Sequence, residues 1–96
     1  MNKTEAEYAG MLEARKRAGD LAWWAFEPFK IRLADRTFYD VDFGVMLSDG
    51  RLEVHEVKGG FITDDGRVKL KVAAEHFPAR FYLCQKVKKA WTVEAL

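Results

Sequence analysis

The feature of this sequence that most constrains its fold is a pair of strand-like segments joined by a three-residue turn. Residues 37–47 read TFYDVDFGVML, residues 51–58 read RLEVHEVK, and Ser48-Asp49-Gly50 lies between them. Both segments are rich in β-branched and aromatic residues, and the connecting residues are those that tight turns favour. The pattern predicts an antiparallel hairpin, which needs further elements packed on it before it is stable.

Helices are predicted on both sides of the hairpin in the chain. Thr4-Glu5-Ala6-Glu7 matches a capping box, so a first helix is expected to run from Thr4 to about Ala18. A second helix is expected over about residues 67–76, with Asp64 or Asp65 as its N-cap.

Further strands are predicted over residues 21–27 and 80–84, which are aromatic and too short for helices. Residues 31–34 extend the first of these or begin another strand, Gln85–Lys89 is expected to be a basic connection, and residues 90–93 form a final strand. The order is a helix, three or four strands, a helix and one or two strands. It predicts an α/β fold in which helices flank a mixed central sheet.

Length and composition exclude several classes of protein. A chain of 96 residues, 49% of them hydrophobic, is expected to form a single domain over 1–96 with a real core. The longest apolar run, Leu21–Phe26, is too short to span a membrane, and the N-terminus has no apolar segment typical of a secretory signal. The only cysteine is Cys84, so no intramolecular disulfide can form, and a reducing, cytoplasmic compartment is expected.

Charge is distributed unevenly along the chain. Residues 1–66 carry a net charge of −4, and residues 67–96 carry +5. A polyanion would be attracted to the basic third while carboxylates act elsewhere, although an ordinary solvated basic helix has the same pattern. The candidate nucleic-acid-binding residues are the basic side chains of this third: Arg67, Lys69, Lys71, Lys86, Lys88 and Lys89.

The second strand of the hairpin carries an unusual combination of residues on one face. Side chains alternate along a strand, so Glu56 and Lys58 share a face with apolar residues, whereas His55 points away. Asp42 on the neighbouring strand can approach Glu56, and two close carboxylates repel one another unless a cation lies between them. Mg²⁺ is suited to such a pair, and Lys58 would stand beside its bound water.

These residues resemble the PD-(D/E)XK nuclease superfamily. Asp42 is followed, after 13 residues, by Glu56-Val57-Lys58, and an N-terminal helix carries Glu5. The segments FYDVDFGVML, HEVKGG and RVKLKVAAEHFP are similar to a family of small phage and prophage endonuclease-like proteins, over roughly residues 2–82. The plan is also similar to that of Holliday-junction resolvases. The resemblance implies a restriction-endonuclease-like αβββαβ core.

The resemblance also implies roles for individual residues. Asp42 and Glu56 would bind the metal, with the Val57 carbonyl as a further ligand, and Lys58 would be the catalytic lysine. Glu5 would complete the catalytic group as the carboxylate of the helix.

Two departures from the family pattern leave part of the residue assignment undecided. Val41 stands where the family has proline, a residue that shapes the backbone and carries no chemistry. Asp40 is an extra carboxylate beside Asp42, and Glu13 competes with Glu5 on the first helix. Which of Glu5, Glu13 and Asp40 completes the acidic cluster is therefore left open.

The function expected from the resemblance is Mg²⁺-dependent hydrolysis of DNA phosphodiester bonds, with Mn²⁺ able to substitute. Such an endonuclease would be selective for DNA structure, nicking DNA or resolving junctions in phage DNA metabolism, and a homodimer would present two active sites. The alternatives are a catalytically inactive nucleic-acid-binding module with the nuclease fold, and a protein-interaction subunit of a phage assembly. DNA is favoured over RNA only by the resemblance.

Overall fold

The chain forms two helices and seven strands, and the computed structural model describes all 96 residues. Five strands lie between the helices in sequence, and two follow the second helix. In chain order the elements are α1 (Lys3–Arg17), β1 (Leu21–Phe26), β2 (Lys30–Ala34), β3 (Thr37–Asp40), β4 (Phe43–Leu47), β5 (Leu52–Gly59), α2 (Asp64–His76), β6 (Arg80–Val87) and β7 (Ala90–Ala95).

The main sheet has the strand order β1-β4-β5-β6-β7, while β2 and β3 form a separate hairpin. Only β5 and β6 are parallel, and α2 connects them, as a parallel pair requires. The other neighbours are antiparallel, so the predicted α/β class with a mixed sheet is confirmed. Counting the main sheet alone, the order is a helix, three strands, a helix and two strands.

The helices cover opposite faces of the sheet, here called the α1 face and the α2 face. Each face has its own core, because neighbouring residues on a strand point in opposite directions. The buried core of the α1 face contains Tyr8, Ala9, Leu12, Leu21, Phe43, Val45, Val57 and Cys84. The buried core of the α2 face contains Ile31, Tyr39, Val41, Val54, Leu70, Ala73, Phe81 and Leu83. Neither helix is long and apolar enough to cross a membrane.

The predicted single strand over residues 37–47 is wrong, because the chain breaks at Val41-Asp42. Tyr39 belongs to the core of the α2 face and Phe43 to that of the α1 face, although strict alternation over one strand would put both side chains on the same face. The break is held by backbone hydrogen bonds to the segment after β1. The Glu27 N–H donates to the Asp42 carbonyl at 2.7 Å. Asp42 thus lies between the end of β3 and the start of β4.

The predicted start of α1 is also wrong, and the correction concerns a candidate site residue. Asn2, not Thr4, is the N-cap, and its side chain accepts from the Glu5 N–H at 2.8 Å. The Glu5 carboxylate in turn accepts from the Asn2 N–H at 2.8 Å. Glu5 is thus the reciprocal partner of a capping box, at an earlier position than the Glu7 expected from the sequence.

Two further boundaries differ from those predicted. Thr63, not Asp64 or Asp65, caps α2, and its hydroxyl accepts from the Gly66 N–H at 3.1 Å. The basic connection predicted over Gln85–Lys89 is mostly strand. Only Lys88 and Lys89 form the turn between β6 and β7, and both adopt positive φ, as the central residues of a two-residue hairpin loop do.

Candidate active site

A cavity of about 350 Å³ opens where β5 ends, between the β2–β3 hairpin and the N-terminal turn of α2. Its walls come from three separate stretches of the chain and are mostly polar. The lining residues are Tyr39, Asp40, Asp42, Glu56, Lys58, Phe61, Ile62, Thr63, Gly66 and Lys69. The three residues that the sequence singled out as D…ExK therefore share one cavity.

Glu56 forms the floor of this cavity and is only 6% exposed. The apolar residues around it on β5 and β6 fix the strand, and strand alternation turns its carboxylate to the α2 face. The Tyr39 hydroxyl donates to Glu56 Oε1, and Lys58 Nζ lies 3.4 Å from Oε2. Both oxygens of this carboxylate are therefore engaged, one by a neutral donor and the other by a cation.

Asp42 reaches the cavity from the strand break. Its Oδ2 accepts from the Val57 N–H at 2.9 Å. The last backbone pair between β4 and β5 is Phe43 with His55, so this side-chain bond satisfies the edge of β5 just beyond the point where pairing with β4 ends. This bond fixes Asp42 beside Glu56. In an extended strand the N–H and C=O of one residue point to the same edge, so the Val57 carbonyl also faces this side.

The electrostatics of the cavity show an excess of negative charge. The pKa of Asp42 is raised to about 7, chiefly by burial and then by the charge of Glu56, although the Val57 N–H and Lys58 both favour the ionised form. The pKa of the Tyr39 hydroxyl is also raised, by burial first and then by Glu56, so Tyr39 stays protonated and remains a donor. Lys58 is the only lysine paired with these carboxylates, and by itself it does not balance both of them, whereas a bound cation would.

The donor set suits a hard divalent cation. Two carboxylates and a carbonyl are oxygen ligands, and Mg²⁺ is typically held by one or two carboxylates together with waters and a substrate phosphate. No group of three or more His, Cys, Asp and Glu side chains is arranged to hold a metal ion anywhere in the chain. Any metal bound here would therefore depend on Asp42, Glu56, backbone and water.

The structure does not bring the candidates for a third carboxylate to Asp42 and Glu56. Glu5 is occupied in the α1 capping box, and Glu13 accepts from Trp24 Nε1 at 3.0 Å. Asp40 does line the cavity, but its carboxylate lies 3.6 Å from Lys30 Nζ. The acidic cluster expected around Glu5 is absent, because the helix uses that side chain to satisfy its own N-terminus.

Among the predicted DNA-binding residues, Lys69 alone lines the cavity. Arg67 is held by Glu94 of β7, with Nη1 and Oε2 3.0 Å apart. Lys86 lies in β6, where it forms an ion pair with Glu7 of α1. Both side chains therefore link elements of the fold, a role that the sequence did not reveal.

The remaining basic candidates lie outside the cavity. Lys71 is exposed on α2 beside the C-terminal Leu96. Lys88 and Lys89 form the exposed turn that follows β6. Because β5 and β6 are parallel, with Gly59 paired to Lys86, this turn extends from the same end of the sheet as the cavity.

Sequence reasoning did not single out five of the lining residues, and two of these are aromatic, Tyr39 and Phe61. Alternation along one unbroken strand would turn Tyr39 to the face opposite Asp42, and only the break at Val41-Asp42 places its hydroxyl on Glu56. Phe61 follows the two glycines after β5 and is exposed at the rim. An aromatic residue between Gly60 and a helix cap was the available signal for it.

The opposite face of β5 carries a second group of ionisable side chains, and these are all buried and hydrogen-bonded to one another. Tyr8 Oη lies 2.6 Å from His55 Nδ1 and 3.3 Å from Cys84 Sγ, and His55 Nε2 lies 2.9 Å from Glu53 Oε1. Since a carboxylate only accepts, His55 donates from Nε2, and Tyr8 must then donate to Nδ1 and accept from the thiol. All four residues are buried. His55 points away from the cavity, as predicted, and Cys84 lies in the core of the α1 face.

Comparison with models of known families, with curated proteins and with solved structures gave no match.

Proposed function

We propose that this protein is an Mg²⁺-dependent endodeoxyribonuclease, as its resemblance to the PD-(D/E)XK superfamily implies. The observation that carries the proposal is the convergence of Asp42, Glu56 and Lys58 in one cavity, from two different strands. A surface ion pair between Glu56 and Lys58 would not need a second, half-buried carboxylate beside it. Two adjacent acids, one buried and one half-buried, destabilise a fold, and such an arrangement is typical of functional sites.

In this proposal Asp42, Glu56 and the Val57 carbonyl would hold the cation. When bound, Mg²⁺ supplies charge neutralisation at the scissile phosphate and lowers the pKa of a coordinated water. Tyr39 keeps the Glu56 carboxylate oriented through its hydrogen bond. The reaction adds the hydroxyl of water to phosphorus, breaks one P–O ester bond, and gives the proton of the water to the leaving alkoxide.

Lys58 provides the positive charge at the mouth of the site. Its side chain is 43% exposed and its Nζ is 3.4 Å from Glu56, so it can contact both the carboxylate and an incoming phosphate. There it stabilises charge that develops on the phosphate in the transition state, or positions the attacking water. Mn²⁺ would substitute for Mg²⁺ because both are bound by oxygen ligands.

DNA would approach from the end of the sheet at which the cavity opens. Lys69 lines the cavity, and Lys88 and Lys89 extend from the same end of the sheet. Lysines contact phosphates without reading sequence, so recognition of DNA structure is expected to dominate over recognition of base sequence. This agrees with a nicking or junction-resolving role in phage DNA metabolism in the host cytoplasm, in which a homodimer would cut two strands.

The direct test is a cleavage assay on supercoiled plasmid and branched DNA with Mg²⁺ or Mn²⁺. The wild type should cut, whereas Glu56→Gln and Lys58→Ala should lose about 10²- to 10⁴-fold in rate. Asp35→Asn and Lys16→Ala are matched controls, because both residues are exposed and outside the cavity, and they should cut like the wild type. Equal rates for all five proteins would refute the assignment.

A second candidate is a catalytically inactive module that binds nucleic acid. The observation in its favour is the absence of a third metal-binding side chain beside Asp42 and Glu56. Under this alternative the wild type binds DNA in a manner that weakens steeply with salt, and no metal ion produces cuts. A subunit of a phage assembly without affinity for DNA would show neither property.

The metal assignment can be tested separately by calorimetric titration with Mn²⁺. The wild type should bind one ion, and Asp42→Asn should bind it at least tenfold more weakly because one anionic ligand is lost. Binding should also strengthen as pH rises through about 7, since the proton on Asp42 must leave before the metal is bound. Equal affinities for the two proteins would exclude Asp42 as a ligand.

A further inference from the structure

Phe61 is the most exposed large apolar side chain of the protein and lies at the rim of the cavity. It is 88% exposed, whereas most of the other aromatic side chains are buried or half-buried. A phenylalanine stabilises a fold by burying its ring, so this exposed side chain contributes little to folding. It lines the same cavity as Asp42 and Glu56.

The residues on both sides of Phe61 are anchored, so the ring is displayed from a fixed loop. The Gly60 N–H donates to the Lys86 carbonyl at 3.0 Å, and Gln85 Nε2 donates to the Gly60 carbonyl at 3.0 Å. Gly60 has a φ of +107°, which glycine adopts readily and other residues rarely adopt. On the other side Ile62 packs against the core of the α2 face.

We propose that Phe61 is a stacking platform for an unpaired nucleobase of the DNA strand whose phosphate enters the cavity. This inference rests on the proposed function and assigns its substrate class: DNA with unpaired nucleotides next to the scissile bond. An aromatic ring stacks on any base, so the platform is independent of sequence. Lys58 and Lys69 line the same cavity and supply positive charge for the adjoining backbone phosphates.

An unpaired base fits this position better than a paired one. Within a duplex both faces of each base are covered by neighbouring bases, and a protein ring can reach a face only after unstacking. At a fork or flap this cost is already met, so the contact favours those structures. The rigid loop adds to the effect because little freedom is lost when the base binds.

The charges around Phe61 argue against an apolar protein segment as its partner. Such a segment would cover Asp42 and the Glu56–Lys58 pair without supplying any charge or hydrogen bond to them, and removing charges from water in this way is costly. A nucleotide instead brings an aromatic face for Phe61 and an anionic phosphate for the lysines and the cation.

The experiment measures binding apart from cleavage. Fluorescein-labelled splayed-arm DNA with unpaired thymidine arms, and a fully paired duplex of the same length, are titrated with protein in EDTA and followed by anisotropy. The wild type should prefer the splayed DNA, and Phe61→Ala should lose about 5- to 150-fold in affinity for it with little change on duplex. Phe61→Trp should retain the preference, whereas Phe61→Leu should lose it.

The matched control is Phe38→Ala, since Phe38 is a second exposed phenylalanine, 45% exposed, outside the cavity. It should bind both DNAs like the wild type. Because Phe61 is exposed, Phe61→Ala should melt at the wild-type temperature, so a binding defect is not a folding defect.

The proposal is overturned if Phe61→Ala binds splayed DNA like the wild type, if it loses affinity equally on duplex, or if the wild type has no preference. These outcomes are separate from those of the cleavage assay. A wild type that cuts with no dependence on Phe61 would leave the nuclease assignment standing. A protein that binds through Phe61 and never cuts would leave only the stacking platform.

Discussion

Strand β5 carries two clusters of ionisable side chains, one on each face of the sheet, and they are built in opposite ways. The closed cluster on the α1 face consists of Glu53, His55, Tyr8 and Cys84. The open cluster on the α2 face consists of Asp42, Glu56, Lys58 and Tyr39. Side chains alternate along β5, so Glu53 and His55 at odd-numbered positions point to the α1 face. Glu56 and Lys58 at even-numbered positions point to the α2 face, and this alternation alone separates the two clusters.

The difference between the clusters lies in how completely each balances its own charges and hydrogen bonds. In the closed cluster each member is a donor or acceptor for the next, and no buried side-chain nitrogen or oxygen lacks a partner. In the open cluster Asp42 and Glu56 repel one another, and the cavity leaves room for a ligand. The closed cluster therefore satisfies its own polar groups, whereas the open cluster keeps unbalanced negative charge beside a cavity, as the proposed function requires.

The largest effect on stability is expected from breaking the closed cluster with Tyr8→Phe. The substitution leaves His55 Nδ1 and the Cys84 thiol without their common partner in a dry interior, which should lower the free energy of unfolding by about 1–3 kcal/mol. Urea denaturation should show a lower midpoint with an unchanged slope. In the cleavage assay that tests the proposed function, Tyr8→Phe should behave like the wild type, and a specific loss of cleavage would show that the two clusters are coupled.

The open cluster should respond in the opposite direction, because Asp42→Asn is expected to stabilise the protein. Asparagine still accepts from the Val57 N–H and removes a charge next to Glu56. At pH 8 the gain should be about 1–2 kcal/mol, after allowance for partial solvent screening of this half-buried group. Thermal unfolding of the two proteins in EDTA measures it, and a less stable asparagine variant would mean that the ionised carboxylate contributes to folding.

The pH dependence of this gain follows from the sign of the shift. The pKa of Asp42 is about 7 in the folded protein, against an ordinary value of 3.8 for an aspartate in an unfolded chain. Between these two values the folded state binds the proton more tightly, so the contribution of Asp42 to stability falls as pH rises through this window. The advantage of Asp42→Asn should be fully present above pH 7 and absent below about pH 3.8.

Much of the fold could be predicted because its signals are local. The turn at Ser48-Asp49-Gly50 and the apolar alternation of β5 gave the β4–β5 hairpin, and the same alternation gave the shared face of Glu56 and Lys58. The separation of His55 from this face follows from the same rule and is confirmed. Such features depend only on residues close together in the chain.

The errors arose where contacts between distant segments override a local pattern. Nothing in TFYDVDFGVML marks the break at Val41-Asp42, which is held by bonds to the segment after β1. The break also decides that Tyr39 contacts Glu56. The capping box was misplaced for a different reason: two overlapping boxes were possible, and the chain uses the earlier one, which starts at Asn2 and has Glu5 as its partner.

A smaller effect is expected for Tyr39→Phe, the counterpart of Tyr8→Phe on the open side. Glu56 loses one donor but keeps Lys58 and gains access to water from the cavity, so the free energy of unfolding should fall by only about 0.5–1.5 kcal/mol. Mn²⁺ should bind more weakly, because Glu56 is less firmly oriented. Calorimetry and urea denaturation test both parts, and a loss of stability larger than that of Tyr8→Phe would contradict the comparison.

The smallest effect concerns the protonation of His55 in the closed cluster. Burial lowers its pKa below the usual 6.5 despite the nearby Glu53, so below pH 6.5 the unfolded chain binds a proton that the folded protein excludes. Stability should therefore fall as pH drops from 7 to 6, by less than about 1 kcal/mol. Asp42 acts in the opposite direction over this range, so the measurement belongs in the Asp42→Asn background, where urea midpoints at pH 7 and 6 isolate the histidine. Midpoints that rise at pH 6 would mean that Glu53 holds His55 in its charged form and that the closed cluster, like the open one, carries a charge pair.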